Sequence, residues 1–269
     1  ADSVYYRGNV TSDGNKAVTE RGFCWATTAN PTTSTNKVIV GSGIGVYNGM
    51  LTGMSPATTY HIRAYAINSI GTSYGADSSI TTLSISVSTV VTGKTTPILG
   101  TSATANGQIT FDGRRAITQK GFCWSTSPNP TTALTTISTQ GGGSASFFYN
   151  ITGLSLNTTY HVRAYATNAV GTAYGGDSTF LTATSPTVVI NNISAISFYS
   201  ANINANVLSD GRLPVTSRGV CWSTSANPNI KNASFKASGS GKGSYMVSLT
   251  GLIHNTIYHV RSYAINSAD

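Results

Sequence analysis

The strongest constraint on the fold of this chain is that it carries one pattern three times. A Gly-x-Cys-Trp motif recurs at spacings of 99 and 98 residues (123−24 and 221−123), with its cysteine at Cys24, Cys123 and Cys221. A Tyr-His-x-Arg-x-Tyr-Ala motif keeps the same step, with its histidine at His61, His161 and His259. Solenoid units have about 20–50 residues, whereas this period matches a whole small domain. The sequence therefore predicts three tandem domains, which we call repeats 1, 2 and 3, at residues 1–82, 83–182 and 183–269.

Alternation of apolar and polar residues runs through each repeat, and helical periodicity is absent. Around Tyr47, Gly49 and Leu51 every second position is apolar in the aligned repeats, which is typical of a strand with one face in the core. Asn48-Gly49 alone resembles a hairpin turn. Because the aligned residues in the other repeats are apolar, the comparison places it in mid-strand.

Turn signals separate these strands. An Asp-Gly pair precedes each Cys-Trp strand, at Asp13, Asp112 and Asp210. The residues that lead to Tyr60 match the pattern of a tyrosine corner: an apolar pair, a turn and then Thr-x-Tyr, which ends at Tyr60 itself. In such a corner the tyrosine hydroxyl ties a loop to a strand. About seven short strands per repeat predict an all-β fold of three Greek-key β-sandwiches.

The pattern Leu-x-Gly-Leu-x-Pro-x-Thr-x-Tyr-x-Val-Arg-Ala-x-Ala-x-Asn-x-x-Gly, best kept at 51–71 and 151–171, resembles the E–F–G part of fibronectin type III domains. The Asp-Gly turn and the strand after it are similar to the B–C region of that family. The resemblance implies immunoglobulin-like sandwiches of the kind found in tandem in surface proteins of Bacteroidota. One departure is that the family's core Trp lies on strand B, whereas the Trp residues of this chain are predicted on strand C.

The family's strand order places the ends of the G strands near Thr82 and Thr182. Because residue 1 aligns with Gly100, repeat 1 is predicted to lack strand A. Repeat 3 is predicted to stop before strand G, since Asn266 aligns with Asn168 near the chain end. Two explanations stay open: a window cut from a longer array, or edge strands supplied by a neighbouring subunit, because open edges invite strand addition.

Composition favours an extracellular stalk or fibre over a cytosolic enzyme. Charged residues are 9% of the chain, against about 25% in an average domain. The net charge of +8 is spread along the chain, which suits acidic glycans or cell surfaces rather than nucleic acid. One cysteine per repeat excludes a disulfide within a repeat. No apolar run reaches the roughly 18–20 residues of a membrane span, so we predict no membrane insertion within this segment.

No catalytic, metal or cofactor site is predicted. Each histidine of the Tyr-His motif stands without a second ligand at metal-binding spacing, so it is interpreted as a solvent-facing strand residue. No nucleophile–base pair recurs, and most acids fall in turns. The Gly-rich stretches at 41–45, 141–143 and 239–243 lack the strand–helix setting of a phosphate loop.

The C and F strands offer one candidate interface. If Phe23 and Trp25 face the core, Cys24 faces outward beside Arg63 and Tyr65, and Tyr and Arg are enriched in interfaces. The alternative is a small apolar cysteine shielded by Arg and Tyr stems. The predicted contact stripe consists of Cys24, Arg63, Tyr65, Cys123, Arg163, Tyr165, Cys221, Arg261 and Tyr263.

These observations predict a non-enzymatic, extracellular structural or adhesive part of a bacterial surface protein or fibre. It would act as a semi-rigid, multivalent rod. Edge-strand addition or lateral contacts would join it to neighbouring copies, and the many weak contacts would add together. Cell-surface or glycan ligands are further expected partners. The alternatives are spacer modules of a large secreted carbohydrate-active enzyme, or a glycan-binding module that uses the recurrent tyrosines Tyr65, Tyr165 and Tyr263.

Overall fold

A computed structural model describes residues 3–268, and in this range the chain forms twenty β-strands and no helix. The chain divides into two compact units. The first comprises Ala1–Ser88, Phe111–Ala116 and Asn168–Gly171; the second comprises Thr89–Thr110, Ile117–Thr167 and Thr172–Asp269. The all-β prediction is confirmed, and the three-domain boundaries at 82 and 182 stay predictions.

Repeat 1 forms two antiparallel sheets. In the smaller sheet β1 pairs with β4, and in the larger sheet the order is β3-β2-β5-β6, with β7 also pairing with β5. The strands are β1 (Val4–Val10), β2 (Glu20–Ala26), β3 (Asn36–Gly41), β4 (Gly45–Leu51), β5 (Thr59–Ile67), β6 (Thr72–Tyr74) and β7 (Ser78–Thr81).

Repeat 2 also contributes two sheets, one of order β11-β9-β8 and one of order β10-β12-β13, with β14 pairing with β12. Its strands are β8 (Thr89–Thr92), β9 (Ser102–Phe111), β10 (Gln119–Ser125), β11 (Phe147–Thr152), β12 (Thr159–Asn168), β13 (Gly171–Tyr174) and β14 (Ser178–Leu181).

Repeat 3 has sheets of order β15-β16-β19 and β18-β17-β20. Its strands are β15 (Thr187–Ser194), β16 (Ser200–Ser209), β17 (Ser217–Ser223), β18 (Ser234–Ala237), β19 (Gly243–Thr250) and β20 (His259–Ile265).

A separate apolar core lies between the two sheets of each repeat. In repeat 1 the Phe23 ring of β2 packs on the Tyr47 ring of β4, with centroids 5.0 Å apart. In repeat 2 the corresponding rings of Phe122 and Phe147 are also 5.0 Å apart. Burying one such side chain contributes about 1.5–3 kcal/mol. The alternation in the sequence therefore identified the facing sides of a β-sandwich.

The predicted tyrosine corner is present in every repeat. The Tyr60 hydroxyl accepts a hydrogen bond from the Ser55 N–H at 3.0 Å. Tyr160 and Tyr258 make the same bond five residues upstream, each at 3.1 Å. Asn48-Gly49 lies inside β4, as the aligned repeats predicted.

The glycine of the Gly-x-Cys-Trp motif is required by a close approach of the neighbouring chain segment. A Cβ on Gly22 would lie 2.0 Å from the Val38 carbonyl oxygen. On Gly121 it would lie 1.9 Å from the Ser138 carbonyl oxygen. The glycine is therefore a packing residue of the C strand.

The strand edges differ among the repeats. The G strands β7 and β14 end at Thr81 and Leu181, within one residue of the prediction. They and the strands before them cover the outer edges of β5 and β12. Within residues 3–268, β20 pairs with β17 alone and β1 with β4 alone. These two strands therefore keep an open edge in the described part of the chain.

Candidate functional site

The cysteines of the predicted contact stripe are buried rather than outward-facing. The Cys24 thiol donates to the carbonyl oxygens of Pro31 at 3.4 Å and Arg63 at 3.6 Å, and the other repeats have the same pair of bonds. The segment that carries Pro31 therefore covers this face of the sheet. Burial raises the pKa of all three thiols, that of Cys123 to about 11.

Two of the stripe's tyrosines are buried as well. The Tyr65 hydroxyl donates to Glu20 Oε1 at 2.7 Å, and burial is the main cause of the raised pKa of Tyr65. The Tyr165 hydroxyl donates to the Ser138 carbonyl oxygen at 2.9 Å. Both side chains are at most 2% exposed. The expectation of an outward-facing stripe is therefore wrong for the cysteines, Tyr65 and Tyr165, because a loop covers the outer side of the sheet. An interface role for the nine residues stays a prediction.

The recurrent histidines have a partner that sequence analysis missed. His61 Nδ1 lies 2.9 Å from Asp77 Oδ2, and the Asn30 N–H donates to the same oxygen at 2.9 Å. The Asn30 N–H and then His61 hold the pKa of Asp77 below its usual value. In repeat 2, His161 lies 2.8 Å from Asp177. The sequence feature that could have indicated this pairing is an aspartate sixteen residues after each of these two histidines.

These pairs offer no metal centre. Among residues 3–268 there is no group of three or more His, Cys, Asp or Glu side chains that could hold a metal ion. A His–Asp pair that also accepts a backbone N–H fixes a loop to a strand. We therefore assign the pairs of repeats 1 and 2 to the attachment of the G strand.

A twelve-residue segment carries each of these aspartates and closes the edge of its sandwich. We call residues 71–82 and 171–182 the closing segments. They share the pattern Gly-Thr-x-Tyr-Gly-x-Asp-Ser-x-(Ile/Phe)-x-Thr. In repeat 1 the closing segment forms β6 and β7, which both pair with β5, and in repeat 2 it forms β13 and β14, which both pair with β12.

The tyrosine of the closing segment and the glycine after it are held at three points. The Arg63 guanidinium lies over the Tyr74 ring at 4.7 Å and donates to the Gly75 carbonyl oxygen at 2.8 Å. The Thr33 N–H donates to the Tyr74 hydroxyl at 3.0 Å. Repeat 2 repeats these contacts with Arg163, Tyr174, Gly175 and Thr132.

The other end of the closing segment is anchored in the core. Phe180 is buried and stacks on the Tyr160 ring, with centroids 5.7 Å apart. The Thr182 hydroxyl donates to the Ser155 carbonyl oxygen at 2.7 Å and accepts from the Thr158 N–H at 2.9 Å. Repeat 1 has Ile80 packed against its core and the same two bonds at Thr82.

Repeat 3 has a groove at the corresponding place. A cavity of about 1000 Å³ opens beside Tyr258, and a second of about 460 Å³ opens beside Tyr263. Val260 at the first cavity is only half-buried, whereas Ile62 and Val162, its counterparts, are fully buried. Apolar side chains line the larger groove: Ile196, Phe198, Leu252, Ile253, Ile257 and Val260. Phe198 is 80% exposed and Ile257 is 82% exposed.

The polar groups that hold a closing segment are also present along β20. His259 is exposed, and within residues 3–268 neither its ring nor the Asn227 N–H has a hydrogen-bond partner. Arg261 is exposed and donates to the Pro228 carbonyl oxygen at 3.4 Å. The open edge of β20 therefore combines unpaired backbone, an apolar groove and oriented polar groups.

Repeat 1 has a smaller groove of about 520 Å³, which Asp13, Asn68 and Gly71 help to line. Asn68 donates to the Asp13 carbonyl oxygen at 2.9 Å. Its counterpart Asn168 donates to Asp112 and also to the Ser86 carbonyl oxygen, at 2.8 and 2.9 Å. This groove has less apolar lining than the one beside β20, so β20 is the stronger candidate site.

Comparisons with known proteins do not identify the chain. No protein-family model matches it, and no curated protein matches it. Among solved structures, the crystal structure of chicken CNTN1 FN1-FN3 domains aligns with 100% of this chain and 90% of its own, at 13% identity and a TM-score of 0.27. The described part of the chain has no helix with the length and hydropathy needed to cross a membrane.

Proposed function

We propose that this chain is a non-catalytic structural or adhesive array of β-sandwich repeats in an extracellular assembly, in which a further β-strand covers the edge of β20. The observation that carries the proposal is the groove along that edge. Repeats 1 and 2 cover the same edge with a closing segment, and repeat 3 presents the groove uncovered in the described range.

Open sheet edges are pairing sites, and proteins that use them obtain affinity from main-chain hydrogen bonds and specificity from side-chain pockets. The groove beside β20 supplies both, because unpaired backbone lies next to an apolar cavity. Contiguous exposed apolar surface of this kind marks interaction sites in soluble proteins. Phe198 and Ile257 line this groove and are largely exposed.

The remaining residues support a structural role over a catalytic one. The thiols are buried with raised pKa values, and the histidines of repeats 1 and 2 are engaged in holding loops. A glycan-binding role would need an exposed aromatic platform, and burial of Tyr65 and Tyr165 leaves that role without its recurrent residues. A bacterial surface or fibre location rests on the low charge content and the tandem repeats.

The proposal is tested by covering the edge in cis. A copy of residues 172–182 is appended directly after Asp269, which aligns with Gly171 and so keeps the spacing of repeat 2. We expect the unmodified chain to bind a hydrophobic dye and to self-associate with concentration in sedimentation velocity. The covered chain should lose both properties and melt at a higher temperature.

The matched control appends the same eleven residues in scrambled order. It should behave like the unmodified chain. If the unmodified chain neither binds dye nor associates, and the appended strand leaves its melting temperature unchanged, the edge of β20 is not a strand-accepting site and the proposal is wrong.

A further inference from the structure

We infer that repeat 2 binds a neutral sugar residue in a notch on the outer face of the sheet β11-β9-β8, with the Phe148 ring as its platform. The notch does not involve β20, so a sugar site here goes beyond the proposed strand contact and gives the adhesive role a ligand class. In repeat 3 the strands β15, β16 and β19 correspond to β8, β9 and β11 and provide the comparison.

The notch is a cavity of about 330 Å³ that spans the three strands of this sheet. Phe147 of β11 is buried in the core, so its neighbour Phe148 lies on the outer face, where it is 69% exposed. Val91 of β8 lines the other side of the notch and is exposed as well. Pockets for small molecules begin at about 300 Å³, so the notch has room for one ring-sized ligand.

A glycine keeps the notch open in repeat 2. The Gly93 N–H donates to the Asn106 carbonyl oxygen at 2.7 Å, which places Gly93 beside Asn106. In repeat 3 the residue paired with the aligned Asn204 is Asn192, and the Asn204 amide donates to Asn192 Oδ1 at 2.6 Å. An asparagine side chain therefore fills the place that glycine leaves empty in repeat 2.

Two side-chain amides bring hydrogen-bonding groups to the notch. The Asn106 amide nitrogen donates to the Lys94 carbonyl oxygen at 3.0 Å, and the Asn106 Oδ1 has no partner within residues 3–268. The Gln108 side chain is exposed and has no hydrogen-bond partner in the described range either. An amide can both donate and accept, and so can the Ser146 hydroxyl, which also lines the notch.

These groups match the chemistry of a neutral pyranose. One face of such a ring carries C–H groups that pack on an aromatic ring, and its rim carries hydroxyls that each donate and accept. None of the described residues that line the notch is charged, so an acidic or cationic ligand would lose water without gaining a counterion. Asn48 and Met246 occupy the position of Phe148 in the other repeats, so the platform belongs to repeat 2 alone.

The experiment titrates the 269-residue chain with methyl β-glucoside and methyl β-galactoside and follows binding by saturation-transfer difference NMR. We expect at least one of them to bind with a dissociation constant on the order of 1 mM, the scale of a small ligand in a shallow site. Phe148→Ala should weaken binding at least roughly tenfold, since the platform is lost. Met246→Ala is the matched control in repeat 3 and should leave binding unchanged.

Two further variants test the floor and the polar groups of the notch. Gly93→Asn restores the residue of repeat 3 and should abolish binding by filling the cavity. Gln108→Leu keeps the size of the side chain and removes its amide, so it should weaken binding roughly fivefold, the scale of one neutral hydrogen bond. Phe148 and Gln108 are exposed, so their variants should melt at the temperature of the parent chain.

Three results would overturn the sugar site. The first is that neither sugar binds at about ten times the expected dissociation constant, or that Phe148→Ala and Met246→Ala bind alike. The second is that cyclohexanol, a ring of similar size with one hydroxyl, binds as tightly as the sugars. The third is that Phe148→Ala abolishes self-association in sedimentation velocity and leaves sugar binding intact, which would make the notch a contact between copies. The strand proposal for β20 is tested separately by the appended segment, so either proposal can fail alone.

Discussion

At the scale of single residues, the conspicuous side chains of the repeat are structural. Each cysteine thiol donates to two backbone carbonyls, and burial raises its pKa. The Cys123 pKa of about 11 lies above the ordinary thiol value near 9. The neutral thiol therefore contributes stability that is fully present below pH 9 and is lost as the pH rises through 11.

We predict that the three native thiols react slowly with iodoacetamide at pH 8 and rapidly once the chain is unfolded. The reason is that the thiolate is the reacting form and the folded state disfavours it. Intact-mass spectrometry over time reports the number of labelled cysteines. Labelling of any cysteine at the rate of a free thiol in the native protein would contradict the assigned burial.

Asp77→Asn should lower the melting temperature at pH 7, because the carboxylate accepts bonds from Asn30 and His61. The pKa of Asp77 is lowered in the folded state. Its contribution is therefore present above the unfolded value of about 3.9 and is lost as the pH falls below it. The difference in melting temperature between variant and parent should shrink between pH 5 and the most acidic pH at which both still fold.

The control for this series is Asp13→Asn, since an asparagine side chain can still accept the Asn15 N–H of the turn. It should change the melting temperature little at any pH. Equal losses for both variants would mean that the His61 pair has no special role.

At the scale of strands, the glycine of the Gly-x-Cys-Trp motif allows two chain segments to approach closely. Gly121→Ala would place a methyl group 1.9 Å from the Ser138 carbonyl oxygen, so the backbone would have to shift. We predict a loss of about 3 kcal/mol in the free energy of unfolding of repeat 2, measured by urea denaturation.

Gly141→Ala is the matched control, because a Cβ there would meet nothing within 4 Å. Its effect should stay within about 0.5 kcal/mol. Comparable losses for the two glycines would show that the cost comes from chain flexibility and not from the contact with Ser138.

Tyr160→Phe should cost about 1 kcal/mol, since it leaves the Ser155 N–H without its tyrosine-corner acceptor. Tyr5→Phe is the comparison, because Tyr5 is exposed on β1. Urea denaturation of both variants checks the difference. Equal stability of the two variants would remove the corner as a stabilising feature.

Much of this strand-level structure follows from the sequence. Alternation predicted β4 and β5, and the corner pattern predicted the hydroxyl bond of Tyr60. The covering of Cys24 by the Pro31 segment could not be predicted, because irregular backbone leaves no periodic signal. The His61–Asp77 bond joins a strand to a loop sixteen residues later, and only the recurrence of that spacing in repeat 2 could have indicated it.

At the scale of the whole molecule, three similar repeats differ at their edges. Repeats 1 and 2 close the outer edges of β5 and β12, and repeat 3 leaves β20 open in the described range. The sequence predicts that repeat 3 stops before strand G, from the alignment of Asn266 with Asn168, and this stays a prediction. It could not predict the grooves beside β20, because their lining comes from strands and loops distant in the chain. The edge of β20 therefore carries the proposal that a further β-strand covers it.

Hydrogen–deuterium exchange of the β20 amides, with and without a peptide of residues 171–182, tests this claim most directly. In the isolated chain we predict faster exchange in β20 than in β12, because amides at an unpaired edge open locally at low cost. Saturating peptide should slow β20 to the rates of β12 and leave β12 unchanged. Exchange in β20 that already matches β12, or that the peptide does not alter, would contradict the account.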